Sequence, residues 1–172
     1  MKKNVKLSSA LIQKLRKIRL IVLDIDGVLT DGSIIYGSDG TEYKRFNVHD
    51  GYGIYRAKQK GIKFAIISGR VSNVTTIRAE KLGIADVYQG NEDKVSVFQK
   101  IKKKYRFNYD EVCFIGDDEF DLSLLKVVGV SVAPADAIDK VRNEVDYVLK
   151  KPGGRGAVRE LIDMILTAKK LL

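Results

Sequence analysis

From Leu20 onward the chain alternates short apolar runs with stretches of helical spacing, and that alternation leaves few folds open to it. The runs are LIVL, IKFAIISG, DVYQG, EVCFIGDD, VGVSVA and VDYVL, rich in β-branched and aromatic residues and bounded by turn formers. Helical patterns are expected at about 51–60, 72–82, 92–105 and 119–126, with a short helix after Asp136 and a last one over about 155–170. A further helix over 8–17, capped by Ser8 or Ser9, leads into the first strand. Repeated β-α units predict an α/β fold: a Rossmann-like, doubly wound, mainly parallel sheet with right-handed crossovers and helices on both faces. The 172 residues, 45% hydrophobic, are enough for one core, so a single domain over 1–172 is expected.

One insertion interrupts the alternation. GSIIYG, SDG and TEYKRFNV make two β-rich runs around a turn at Asp39-Gly40, a hairpin at about 33–46. It is too small to be a lid domain. An isolated two-stranded hairpin is marginal in water, so this one is expected to pair, with the same hairpin of another subunit as the natural partner.

The formal charge of +9 arises from Lys and Arg interleaved with Glu and Asp, and no stretch combines closely spaced aromatics with a basic cluster. Nucleic acid is therefore not expected as a partner, although the basic excess can steer a multiply charged anion. The single Cys113 lies inside VCFIG and reads as a small core residue. No apolar segment reaches signal-peptide or membrane-span length, so a soluble cytoplasmic protein without membrane attachment is expected.

Reactive groups gather where the strands end. LIVL runs into Asp24 and Asp26, IKFAIIS ends in Ser68 before Gly69 and Arg70, Lys94 opens the helix after Gly90, and VCFIG leads into Asp117 and Asp118 with Asp121 a turn later. Open α/β sheets bind ligands at the carboxyl ends of their strands. Taken singly, each residue also has an ordinary structural role: a turn-forming aspartate, a capping serine, a surface lysine, an acidic helix start. Taken together, converging carboxylates stay ionised in a cleft only with a cation, which points to Mg²⁺ held by Asp24 and Asp117. Asp24 could then attack a phosphoryl group, Asp26 could exchange the proton, and Ser68 and Lys94 could hold the phosphoryl oxygens.

In their order, DIDGVLTDG, SGR, Lys94 and GDDEFD resemble the haloacid dehalogenase superfamily of phosphohydrolases, over nearly all of residues 18–169. With a hairpin in place of a cap domain, FNVHDGYGI, and PGGRGAVRE before the last helix, the chain is similar to the 3-deoxy-D-manno-octulosonate 8-phosphate phosphatases. The resemblance implies a cap-less, Mg²⁺-dependent enzyme of lipopolysaccharide precursor synthesis that hydrolyses this phosphorylated sugar acid through an aspartyl-phosphate. It implies a homotetramer whose hairpins form a central β-barrel. It also implies Asp24 as nucleophile, Asp26 as acid/base and backbone-carbonyl metal ligand, Ser68 and Lys94 as phosphate contacts, and Asp117 as metal ligand. By the same similarity Asn47, Val48, His49, Asp50, Gly51, Arg70 and Arg78 join Asp26 and Lys94 on the substrate, with Arg155 folding over it, in some cases from a neighbouring subunit.

His49 and Tyr55 stand where relatives carry arginine, and a mostly neutral imidazole would alter recognition of a sugar acid. A phosphatase for a related nine-carbon sugar-acid phosphate stays open for that reason. So does a phospho-aspartate receiver module, although in receivers the acidic pair precedes the phosphorylated aspartate, whereas here Asp24 and Asp26 come first.

Overall fold

A computed structural model describes residues 7–91 and 93–172. Eight strands follow one another in these residues: β1 (Leu20–Leu23), β2 (Ile35–Tyr36), β3 (Glu42–Tyr43), β4 (Lys63–Ser68), β5 (Asp86–Gln89), β6 (Val112–Ile115), β7 (Val130–Ala133) and β8 (Tyr147–Val148). Six form a parallel sheet in the order β5-β4-β1-β6-β7-β8, while β2 and β3 pair antiparallel as the inserted hairpin. The helices are α1 (Ser9–Lys17), α2 (Val48–Gln59), α3 (Asn73–Leu82), α4 (Lys94–Tyr105), α5 (Leu122–Leu125), α6 (Asp139–Arg142) and α7 (Ala157–Ala168). None is long and apolar enough to cross a membrane.

The continuous apolar runs are explained by burial on both faces of the sheet. Ile21 and Leu23 of β1 pack with α1, α2 and α7, through Leu15, Ile54 and Leu161 among others. Leu20 and Val22 point the other way, into Phe98 and Ile101 of α4 and Leu124 of α5. Each large side chain so buried contributes about 1.5–3 kcal/mol. A one-residue slip of β1 would exchange its two faces, so the position of the next residue, Asp24, is tightly specified.

Topology then sets the site. From β1 the chain passes to β4 and β5 on one side, then crosses to β6, β7 and β8 on the other. The crevice beyond the carboxyl ends of β1 and β6 is the point where the winding reverses, and ligands of open α/β sheets bind there.

The expected elements appear, with differences that have local causes. The helix expected from Glu92 starts at Lys94, capped by the Asp93 side chain on the Ser96 N–H; Glu92 itself lies outside the described residues. The helix expected at 119–126 divides into a 3-10 turn, Glu119–Asp121, and α5, because Asp121 turns inward to the backbone of Asp117 and Asp118. KPGGRG, which reads as a flexible stretch, is closely packed. The Gly154 N–H donates to the Val28 carbonyl at 3.0 Å, and a Cβ at Gly153 would overlap the Gly27 carbonyl. These glycines permit contact between two loops rather than freedom of one.

Candidate active site

The strand ends bring Asp24, Asp26, Ser68, Arg70, Lys94 and Asp117 into one cleft of about 290 Å³. Asp24 is the first residue past β1, and its N–H donates to the Ile115 carbonyl at 3.1 Å, extending the ladder between β1 and β6 by one bond. Gly27 then turns the chain at φ +80°, and a Cβ there would overlap the Asp117 carboxylate. Ser68, the last residue of β4, is buried, and its Oγ accepts the Arg70 N–H at 3.3 Å.

Lys94 is the first residue of α4, yet only 2% of it is exposed. Its Nζ lies 2.5 Å from Asp121 Oδ1 and 3.1 Å from Asp24 Oδ1. Asp121 Oδ2 accepts the N–H groups of Asp117 and Asp118 at 2.8 and 3.3 Å. Asp121 therefore has both oxygens engaged, and it fixes Lys94 and the backbone of Asp117 together.

The electrostatics are those of too many carboxylates for one ammonium. Burial, then the charge of Asp121, push the Asp24 carboxyl up to about 7 against the pull of Lys94. Burial, then Asp24 and Asp121, push Asp117 up to about 8. Burial works against the charge on Lys94, but Asp24 and Asp121 outweigh it, and its pKa is raised. One carboxylate oxygen each from Asp24, Asp117 and Asp121 lie within 4.8 Å of one another. Asp24 Oδ1 is buried with no directed hydrogen bond, and the oxygens of Asp121 are taken. A hard divalent cation such as Mg²⁺ fits this set, with Asp24 and Asp117 supplying the free oxygens and the cation the missing positive charge.

A second group of the expected residues lies outside this cleft, around the N-termini of α2 and α7. Asn47 caps α2, its Oδ1 accepting the His49 N–H at 2.8 Å, and its carbonyl accepts from Arg78 at 3.4 Å. Val48 and His49 are exposed. Gly51 leaves room for the Arg78 guanidinium, which also lies over the Phe46 ring. Asp50 is wholly buried; its Oδ1 accepts the Arg159 N–H at 2.7 Å and its Oδ2 the Gly156 N–H at 3.3 Å. Since α7 has no side-chain cap of its own, Asp50 caps it from another helix. Burial raises the Asp50 pKa, and those two N–H groups hold it back. Arg155 is exposed on the loop that Asp50 anchors.

Two charged residues absent from the sequence expectations border the cleft. Lys44 Nζ stands 2.5 Å from Asp26 Oδ1, and Glu42 accepts from Ser72 Oγ at 2.5 Å and from Arg70 at 3.4 Å. Nothing in their local sequence marks them, because lysine and glutamate on a short hairpin read as surface. Asp121 was visible in the spacing of GDDEFD, but its partners were not.

Comparison with known proteins gives one answer. The profile of the haloacid dehalogenase-like hydrolases matches residues 71–161. The 3-deoxy-D-manno-octulosonate 8-phosphate phosphatase of Escherichia coli strain K12 is 44% identical over 162 residues, 94% of this chain and 86% of that protein. The phosphatase of the same name from Yersinia pestis superposes with a TM-score of 0.95 at 42% identity, covering 96% of this chain and 90% of that one. That from Moraxella catarrhalis, solved with magnesium, phosphate and the sugar acid KDO, superposes with a TM-score of 0.93 at 40% identity, over 95% and 94% of the two chains.

Proposed function

Because the chain belongs to the haloacid dehalogenase-like hydrolases, and within them to the 3-deoxy-D-manno-octulosonate 8-phosphate phosphatases, we propose that it hydrolyses 3-deoxy-D-manno-octulosonate 8-phosphate to the free sugar acid and inorganic phosphate, in lipopolysaccharide precursor synthesis. The observation that carries the reading is the convergence of Asp24, Ser68, Lys94 and Asp117 from separate strand ends on one cleft, with Asp26 at its wall. A receiver module has no use for Asp26 and gives way to an enzyme.

In this mechanism an Asp24 carboxylate oxygen forms a bond to phosphorus as the bond from phosphorus to the sugar oxygen breaks. Asp26 gives its proton to the departing alkoxide. It then takes a proton from a water whose oxygen attacks phosphorus, and the bond to Asp24 breaks, releasing phosphate. Lys94 and the Ser68 hydroxyl donate to the phosphoryl oxygens, where charge is spread in the transition state. Asp24, Asp117 and the Asp26 carbonyl would hold Mg²⁺, which when bound would supply positive charge to the nucleophile and the phosphoryl group. Arg70, which lines the cleft with its side chain 37% exposed, is the cation placed there for a substrate carboxylate. Phosphate release over a panel of eight-carbon and nine-carbon sugar-acid phosphates and common sugar phosphates tests this. The expected result is a preference for the eight-carbon acid that EDTA abolishes and Mg²⁺ restores. Preference for the nine-carbon acid would instead assign the His49 and Tyr55 changes a role in specificity.

A homotetramer through the hairpin goes with this reading. The ladder between β2 and β3 is two residues long, too short to stand alone, yet it carries Ile35, Tyr36 and Tyr43, each about half exposed or more. The exposed pair Tyr52 and Tyr55 stacks on neighbouring α2. Light scattering should give four chains per particle, and Ile35→Asp should reduce it to monomers; a monomeric wild type would end the proposal. A cytoplasmic location accords with the absence of a spanning helix among the described residues, and recovery of the activity in the membrane fraction would oppose it.

A further inference from the structure

The hairpin does more than present an apolar edge, because it delivers a buried ammonium to the acid/base. Lys44 directly follows β3, and its side chain is only 3% exposed. A charge so far from water persists only if paired. Its partners are Asp26 Oδ1, at 2.5 Å, and Glu42 Oε1, at 3.9 Å. Asp26 Oδ2 is left buried without a hydrogen bond, 3.9 Å from Arg70 Nε, and Asp26 lines the cleft. The two oxygens of Asp26 are therefore unequal: one is tied to the hairpin, the other is free.

The tie is itself braced. Glu42 on β3 reaches Ser72 through one oxygen and Arg70 through the other, and Arg70 also meets the Tyr36 hydroxyl of β2 at 3.3 Å. Hairpin, β4 loop and Asp26 thus form one charged network. A one-residue change of hairpin register would turn Lys44 to the opposite face.

We infer that Lys44 is a positioning residue, which by holding Oδ1 leaves Oδ2 of Asp26 aimed at the bridging oxygen of the phosphate ester and then at the attacking water. The inference rests on Asp26 being the acid/base. Because misplacing a catalytic group by about 1 Å can cost roughly 100-fold, Lys44→Met should lower kcat about 100-fold on the sugar-acid phosphate and leave KM within about twofold. With p-nitrophenyl phosphate, whose leaving group needs no proton, the variant should release a burst of nitrophenolate before slow turnover. The water step still needs Asp26. If Lys44→Met does not fold, Lys44→Arg, which keeps the charge but shifts the contact, carries the same test. A raised KM with unchanged kcat would make Lys44 a substrate contact, and equal loss on both esters without a burst would make it merely structural; either overturns the inference. Asp26→Asn measured in parallel separates the premises. If it retains turnover the acid/base reading fails, whereas if it is inactive while Lys44→Met matches wild type, only the role of Lys44 fails.

Discussion

Asp24→Asn should lower phosphate release by on the order of 10⁴-fold or more, as removal of a nucleophile from a preorganised site does, and should not unfold the protein. Asparagine keeps the shape of aspartate and the backbone N–H that extends the ladder to Ile115. What it loses is the oxygen that would attack phosphorus. It also relieves a cost. Burial and the Asp121 charge raise the Asp24 pKa to about 7 from 3.8, so in the absence of metal the folded wild type binds a proton that the unfolded chain releases. Where the folded state holds more protons, stability falls as pH rises, here between about 4 and 7. In EDTA, the melting temperature of wild type should therefore decline with pH across that window more steeply than that of Asp24→Asn. Residual turnover near the wild-type level would remove the covalent mechanism, and parallel melting curves would remove the electrostatic account.

How much of this site could be read from the chain depended on distance along it. The central parallel strands were legible because a strand buried on both faces must be apolar throughout, and LIVL and VCFI are. Asp24, Ser68 and Asp117 were legible because each ends such a strand or follows it within two residues. The hidden features are those made by partners remote in sequence. Asp50 sits in FNVHDG among residues expected on the sugar, yet its carboxylate is taken by Gly156 and Arg159, more than a hundred residues away. That placement ties α2 to the loop bearing Arg155. Lys44 defeats a different rule: lysine is ordinarily exposed, and its neighbours in sequence do not disclose that a carboxylate converges on it, whereas Lys94 was expected in the site and only its pairing with Asp121 was hidden. KPGGRG misleads for a third reason: glycine marks either a loose segment or a place where backbones touch, and only the opposing loop at Gly27 and Thr30 distinguishes them.

The buried Lys94 carries the second large effect, this time on stability and turnover at once. Lys94→Ala leaves Asp24, Asp117 and Asp121 facing one another with no ammonium among them. Removing one partner of a buried ion pair costs about 3–5 kcal/mol, a large share of the roughly 5–15 kcal/mol that holds a domain folded. Urea unfolding in EDTA should therefore shift to markedly lower denaturant. Added Mg²⁺ should recover part of the loss, since a cation bound only by the folded state supplies the same counter-charge and stabilises by mass action. It should not recover turnover. Loss of a donor aimed at transition-state charge costs about 100- to 1000-fold, and a cation held by the carboxylates does not replace the N–H donor that Nζ offers the phosphoryl oxygens. Asp121→Asn divides the two contributions: its amide oxygen can still accept the N–H groups of Asp117 and Asp118, while its grip on Lys94 is gone. A Lys94→Ala protein that unfolds at the wild-type urea concentration would mean that the three carboxylates are already neutral without it. One that keeps wild-type kcat would mean that Lys94 serves the fold and not the phosphoryl group.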